Sequence, residues 1–350
     1  MVKCKFLTTS DAEQWRRHLP ARRSVFGSVE YAQLCERVTG ICGRLVVMSS
    51  EDATISYPML LRPVSELPFA ADIRDRWDAT TPDYTGPFYE GNDSALASGF
   101  STHYNAFARD NGIIAGFAHL HPWSSHRHLL AEGCSYNRDI VWVDVTISPD
   151  VIFPNSLEHS CRKNVNKAER EGVRITTESC DDAIAEFHRI YTGTMQREQA
   201  FGRYFFSIDF FKMIRDTMPD NARFVCAWHK GRMIAATLYL HDDNNVYSFL
   251  GGADAEFNHL RPTNLVIWKT ILWAHESGKS RLILGGGFKP NDGIFRFKAT
   301  FSPLRQPFYI FKSIHMNQEY ALLEERFRNY YSHPETDDAY FPGYRRHVAR

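Results

Sequence analysis

What this sequence does without narrows its function first. It has no net charge, with 41 basic residues facing 41 acidic ones. No global field therefore draws it onto nucleic acid or an anionic membrane, and any such contact has to be local. No stretch approaches the apolar length that a membrane span needs, and the opening MVKCKFLTTS has no apolar core of signal-peptide length. The seven cysteines (4, 35, 42, 134, 161, 180 and 226) are scattered, odd in number and without a C-x-x-C pair. That argues against a disulfide framework or a Cys-rich zinc site and fits free thiols in a reducing compartment. The chain reads as a soluble cytoplasmic protein. A G-x-S-x-G elbow and a P-loop are missing too. His119, His121, His126 and His128 crowd around Pro122-Trp123, but histidines alone on a loop read as a polar loop, and no metal site is expected.

What is present supports full cores. The chain has 350 residues, 43% of them hydrophobic and 14% aromatic, enough for two domains. One stretch, 281–301, organises the rest: RLILGGGFKPNDGIFRFKATF. An apolar run, Leu282-Ile283-Leu284, reads as a buried strand that stops on Gly285-Gly286-Gly287. Consecutive glycines let the backbone take positive φ and come close to a ligand. A turn-rich segment follows, then Phe295-Arg296-Phe297-Lys298, one lysine set among aromatics. Strand, glycine turn and half-buried lysine suit an acyl or phosphate-bearing donor; the alternative is a packing corner with Lys298 snorkelling outward.

Periodicity and capping signals predict helices at 92–111, 155–171, 181–195, 207–218, 263–277 and 315–331, the last amphipathic. Ser28 and Ser207 read as N-caps, and Ser10-Asp11-Ala12-Glu13 as a capping box. In 155–171, Leu157, Cys161, Val165 and Ala168 form a buried stripe, while Lys163, Lys167, Arg170 and Arg174 follow a separate basic line. Cys161 reads as packing rather than nucleophile. Strands are expected at 44–48, 55–61, 113–119, 140–147, 173–177, 223–228, 233–240, 246–251, 282–284 and 306–312. A shift of 179 residues lays Ser28-Val-Glu-Tyr over Ser207-Ile-Asp-Phe, Arg44-Leu-Val-Val over Arg223-Phe-Val-Cys, and Ile55 over Ile234. This predicts an internally duplicated α/β unit. The domains are placed at 1–150, joined by the C-terminal helix 315–332, and at 151–312, with 333–350 a loosely held tail.

In the second copy a three-strand meander, a helix and a parallel-type strand follow one another, the layout of the GCN5-related acyltransferase fold. The motifs Arg162-Lys163-Asn164 with Ala168-Glu169-Arg170-Glu171-Gly172-Val173, Tyr191 to Arg197, Tyr247 to Gly252, Leu260-Arg261-Pro262-Thr263 and Phe297-Lys298 resemble those of the Fem-type transferases. The similarity is clearest over 155–301. It implies an α/β (α+β) fold of two tandem GCN5-related N-acyltransferase-like domains. Three features depart from that pattern. Residues 195–221 leave room for one short helix and no coiled-coil arm. Leu284-Gly285-Gly286-Gly287 stands where many members carry an Asp-rich strand end. Arg261-Pro262-Thr263 replaces the Q/R-x-x-G-x-G/A phosphate loop of ordinary acetyl-CoA users.

The resemblance implies amide formation. An amino acid delivered on aminoacyl-tRNA would be joined to an amine of a cell-envelope or natural-product precursor, a small-molecule or peptide-bearing acceptor. No cofactor is expected beyond that donor substrate. The alternatives are an acyl-CoA-dependent N-acyltransferase of polysaccharide or secondary-metabolite biosynthesis, and an inactive twin-domain binding protein. Lys298 and Phe297 are the catalytic candidates. Arg261, Thr263, Gly251, Gly252, Gly285 and Gly286 are candidates for donor binding, because helix N-termini favour phosphate. Arg197, Arg203, Tyr247 and Tyr84 are candidates for acceptor binding. Backbone N–H groups near 249–252 are expected at the oxyanion. Asp254 and Asp292 are general-base candidates by position only. A monomer or weak dimer is expected.

Overall fold

The computed structural model describes residues 2–289, 291–332 and 340–346, the side chains of Ala131 and Arg203 excepted. The chain divides into two compact units, Met1–Asn137 with Phe308–Arg350, and Arg138–Pro307. The divisions lie at 137 and 307, not at the expected 150 and 312. Both fall inside strands, where no change of composition marks them.

Unit 1 begins with β1 (Lys3–Thr8), α1 (Ala12–His18), α2 (Val29–Thr39), β2 (Cys42–Ser49) and β3 (Ala53–Pro63). It continues with β4 (Trp77–Thr80), β5 (Phe88–Gly91), α3 (Ser94–Asp110) and β6 (Ile113–His119). Strand β7 (Cys134–Asp144) leads into unit 2, which holds α4 (Pro149–Asn155), α5 (His159–Arg170), β8 (Arg174–Thr177), α6 (Asp181–Arg197) and α7 (Ile208–Thr217). Then come β9 (Ala222–His229), β10 (Arg232–His241), β11 (Asn245–Ala253), α8 (Pro262–Glu276), β12 (Arg281–Gly285) and α9 (Gly293–Ala299). β13 (Arg305–Ile314) returns the chain to unit 1, which α10 (Asn317–Tyr330) completes.

The two sheets share one layout. Unit 1 runs β1-β2-β3-β4-β6-β13 with β5 on β3, antiparallel except for the parallel pair β4–β6. Unit 2 runs β8-β9-β10-β11-β12-β7, antiparallel except for β11–β12. The expected 179-residue repeat also appears in the caps. Ser28 Oγ accepts from the Tyr31 N–H at the start of α2, and Ser207 Oγ accepts from the Phe210 N–H at the start of α7. The fold is thus mixed α/β and built twice, with no coiled-coil arm among the described residues: only a short turn lies between α6 and α7. No described helix is long and apolar enough to cross a membrane.

Local chemistry explains where the elements depart from expectation. The helix expected at 155–171 is α5, which starts only at His159, because a separate helix, α4, begins with Pro149 in its first turn and ends at Asn155 just before it. The capping box uses Thr8 and Asp11 rather than Ser10 and Glu13; the Asp11 carboxylate accepts from both the N–H and the hydroxyl of Thr8. β1 and β4 went unanticipated, being short and interleaved with charge. In unit 2, α8 is apolar on nearly all sides: Leu265, Val266, Ile267, Trp268, Ile271 and Ala274 are buried. The α5 stripe of Cys161, Val165 and Ala168, with Leu157, lies in the same core. Each fully buried aliphatic side chain contributes about 1.5–3 kcal/mol, so α8 anchors the unit.

In unit 1, α10 packs Leu323 and Phe327 against Val64, Ala70 and Ile114. Residues 333–339 and 347–350 of the expected loose tail lie outside the described residues, but 340–346 are firmly packed. Tyr344 is fully buried in that cluster. Arg346 pairs with Glu324, and Arg345 with Asp78, a fully buried carboxylate that also takes a 2.6 Å hydrogen bond from Arg62 Nε. A buried carboxylate between two guanidinium groups compensates its desolvation only while both remain. We expect Arg345→Met to lower unfolding stability by about 2–4 kcal/mol, read as a lower urea midpoint at unchanged slope. An unchanged midpoint would show that this segment contributes nothing.

Candidate active site

The site is built where two parallel strands stop pairing. β11 and β12 pair at Asn245–Arg281, Val246–Leu282 and Tyr247–Ile283 and no further, although β11 runs on to Ala253 and β12 to Gly285. On β11 the register against β10 slips at Phe249: Ser248 opposes Tyr239, and Leu250 opposes Leu238. This bulge bends β11 away. On its other edge β12 pairs with β7 from Arg281–Asp144 to Gly285–Val141, with a register shift between Ile283 and Gly285. Gly285 holds φ +78°, a conformation open to glycine without strain. The result is a gap beside 249–253.

One wall of the gap is tied to α6. The Thr194 hydroxyl accepts from the Ala253 N–H at 3.2 Å, and Arg197 Nη1 donates to the Ala253 carbonyl at 3.3 Å. Glycine at 252 is dictated by this approach, since a Cβ there would lie 2.5 Å from Thr194 Oγ1 and 2.9 Å from the Ile190 carbonyl. Gly251 lies equally close to β10, a Cβ falling 2.9 Å from the Ala236 carbonyl.

The other wall carries Lys298. The Phe295–Lys298 segment is helical, forming most of α9. Asp292 starts this helix, its Oδ1 accepting from the Phe295 N–H at 2.8 Å and its Oδ2 from the Lys289 N–H at 2.9 Å. Phe295 and Phe297 pack on the unit 2 core, and Phe297 meets the buried Phe301 edge-on at 5.5 Å. That anchoring leaves Lys298 half-buried, with Nζ donating to the Gly286 carbonyl at 2.8 Å, just past the end of β12. Burial, only partly opposed by Asp292, draws its pKa down to about 8. Below that pH the charged ammonium is a cost to the fold, relieved as pH rises from about 8 toward the unfolded lysine value. A lysine kept at such a cost beside a gap is a functional-site signature.

Arg261 and Thr263 stand at the start of α8. Arg261 is exposed with φ +60°, and Pro262 occupies the first helical position. The Arg261 carbonyl accepts from the Asn264 N–H at 3.2 Å, which closes the first turn. Its guanidinium makes no hydrogen bond or ion pair among the described residues.

Other sequence candidates are placed elsewhere. Tyr247 is buried and its hydroxyl donates to Asp242 Oδ2 at 2.9 Å, so it braces the β10–β11 turn rather than facing an acceptor. Tyr84 belongs to unit 1, edge-on to Phe26 and Phe308. The Arg203 side chain lies outside the described residues. Asp254 is engaged by Arg232 at 2.7 Å and Arg189 at 3.5 Å. Asp292 is the α9 cap, and donations from Phe295, Lys289, Phe288 and Ile294 outweigh burial to lower its pKa. Neither aspartate is a free base. Among the loop histidines, His126 Nδ1 accepts from the Tyr89 N–H and His121 Nδ1 from the Trp123 N–H. No group of three or more His, Cys, Asp or Glu side chains gathers among the described residues. The thiol of Cys161 is buried and pushed up by that burial, as suits packing. Sequence reasoning missed Thr194 and also Arg138, whose guanidinium donates to the Gly287 carbonyl across 149 positions of sequence. Thr194 lies within the Tyr191 to Arg197 motif without a role of its own there, and no local pattern signals Arg138.

Against known proteins, residues 155–298 match the acetyltransferase (GNAT) domain family. That segment, under half of the chain, matches a GNAT-type domain, and the match supports an acyltransferase. In fold it is Fem-like: it is similar to the crystal structure of FemX at 12% identity, with a TM-score of 0.67 over 91% of this chain and 99% of that one. A tandem GNAT protein from the clavulanic acid biosynthesis pathway aligns at 10% identity and TM-score 0.52, over 89% of this chain and 98% of that one. A conserved protein of unknown function from Bacteroides thetaiotaomicron aligns at 10% identity and TM-score 0.57, over 90% of this chain and 100% of that one. A search of curated protein sequences returned no match.

The tight α6–β11 contact gives a direct test. Gly252→Ala should cost about 1–3 kcal/mol of stability, measured by thermal or denaturant unfolding. Pairing it with Thr194→Ala should recover part of the loss, because the small partner makes room. A Gly252→Ala protein as stable as the parent would remove the contact from the account of this site.

Proposed function

We propose that this protein forms an amide by moving an aminoacyl group from aminoacyl-tRNA to an amine on a cell-envelope or natural-product precursor. The observation that carries this reading is Lys298, an ammonium fixed on the Gly286 carbonyl at the edge of the β11–β12 gap. The acyl carbonyl lies in the gap, with backbone N–H groups of 249–252 as oxyanion donors. Attack by the neutral amine makes the C–N bond and breaks the ester C–O bond. The amine loses a proton as the leaving ribose oxygen gains one. With its pKa drawn down to about 8, Lys298 is suited to give a proton to that oxygen, and its charge favours the developing anion over the neutral ester. Donor phosphates lie at the start of α8 beside Arg261 and Thr263, and Arg197 takes an anionic group of the acceptor. The likeness to FemX and the lack of an ordinary acetyl-CoA phosphate loop support the aminoacyl donor. A second reading, an acyl-CoA donor, is favoured by the acetyltransferase match over 155–298. Incubating the protein separately with labelled aminoacyl-tRNAs and acyl-CoAs, and following which loses its acyl group, decides between them.

Lys298→Met removes the charge and keeps the stem. It should fold as stably as the parent or more so, while turnover falls by about 10²-fold or more. Lys298→Arg should recover only part of the loss, its planar head fitting the site poorly. In the parent, the contribution of Lys298 should fade as pH rises through about 8, and the arginine variant should lack that fade because its charge persists. A fully active Met variant would end the assignment. Arg261→Glu should weaken donor binding while changing stability by less than about 0.5 kcal/mol, as for other exposed positions. Unchanged donor affinity in that variant would move the phosphate site elsewhere.

A further inference from the structure

Outside the gap, the strongest unexplained feature is the outward crest of α5. The helix buries Cys161, Val165 and Ala168 on one side. At 100° per residue, the opposite side is centred on Lys163, Lys167 and Arg170. Lys163 and Arg170 are exposed and Lys167 partly so. None of the three makes a hydrogen bond or ion pair among the described residues. Elsewhere a number of guanidinium groups do hold carboxylates, among them Arg16, Arg62, Arg215, Arg232, Arg326 and Arg345. The nearby Glu169 sits off the crest and is taken by Lys269 at 2.7 Å. Like charges three and four residues apart on a helix destabilise it by about 0.2–0.5 kcal/mol per pair. The crest is therefore a small cost to the fold with no return inside it.

Its direction connects it to the donor end of the site. Asn264, in the first turn of α8, lies 3.7 Å from Cys161 Sγ near the start of α5, and Lys269 meets Glu169 near its end. The two helices run side by side in the same sense. The crest, on the face of α5 turned away from α8, thus starts level with the N-terminus of α8 and leads away from it for about 10 Å at 1.5 Å per residue. That span exceeds what a single pyrophosphate occupies and fits successive phosphodiesters. The residues between the cations, Asn164 and Asn166, are polar, so the helix lacks the apolar face needed to lie in a membrane surface.

We propose that the α5 crest of Lys163, Lys167 and Arg170 docks the phosphodiester backbone of an RNA, carrying the donor's body while its acylated end enters the β11–β12 gap. The inference rests on the aminoacyl-tRNA reading above and adds the surface that would distinguish such a donor from acyl-CoA. The test measures binding of deacylated tRNA to the full chain by fluorescence anisotropy over a range of salt concentrations. The variant carries Lys163→Gln, Lys167→Gln and Arg170→Gln together. The expected result is affinity at least tenfold weaker at low salt, and a slope of log K against log salt shallower by about 2–3, near 0.9 per lost phosphate contact. Thermal unfolding should be unchanged or occur at a higher temperature, since repulsion is removed. Parent and variant binding tRNA alike would overturn the crest and leave the donor reading intact. A parent that binds no tRNA but consumes an acyl-CoA would overturn both. A parent that binds anionic vesicles and not tRNA would overturn the crest as an RNA surface.

Discussion

A parallel β-ladder that ends after three pairs is the constraint on which the rest of unit 2 depends. β11 and β12 could each continue, yet the bulge at Phe249 turns one aside and the positive φ of Gly285 turns the other. Continuous pairing would consume the backbone groups of 249–253 in a ladder and leave no room for an acyl chain. Ending it early leaves polar backbone beside an open space, and the surrounding elements secure the two edges separately. α6 ties down Ala253 through Thr194 and Arg197, while α9 sets Lys298 on Gly286.

The duplicated layout shows how much this one change matters. Unit 1 repeats the strand order, but its parallel pair β4–β6 is bonded along the whole of β4, from Trp77–Ile113 to Thr80–Phe117. Its ladder has no gap of the same kind. On β4 it buries Asp78 between Arg62 and Arg345, a structural use of charge. Unit 2 instead keeps an ammonium partly out of water with a carbonyl as its hydrogen-bond partner among the described residues. The two copies thus differ in the length of a single parallel ladder and in how they hold their buried charge.

The electrostatics of unit 2 are consistent with a reaction that needs little proton abstraction by the protein. The carboxylates closest in sequence to the gap, Asp254 and Asp292, are committed to arginines and to a helix cap. What remains is a cation, a helix start and backbone donors. Such groups stabilise charge and orient substrates, which suits acyl transfer.

Much of this was legible in the sequence. Amphipathic spacing and caps located α2, α3, α7 and α8 to within a few residues, and the 179-residue repeat foretold the doubled sheet. Three glycines followed by Phe297-Lys298 singled out the segment that lies at the end of β12, because close backbone approach and a lysine among aromatics are written in residue type. What local sequence could not carry was any property that depends on a partner far along the chain. Tyr247 looked like an acceptor contact until Asp242 claimed its hydroxyl, and Asp292 looked like a base until it proved to be a cap. Gly252 looked like a donor contact, while its lack of a side chain answers to Thr194, 58 positions earlier. Arg345 and Tyr344 looked like loose tail until Asp78 and a core formed by α10 received them. Periodicity and turn chemistry act within a few residues, so the sequence by itself determined elements, repeat and motif. Burial and charge pairing act through space, so only the tertiary structure decided which polar groups are spent on the fold and which are left for the substrate.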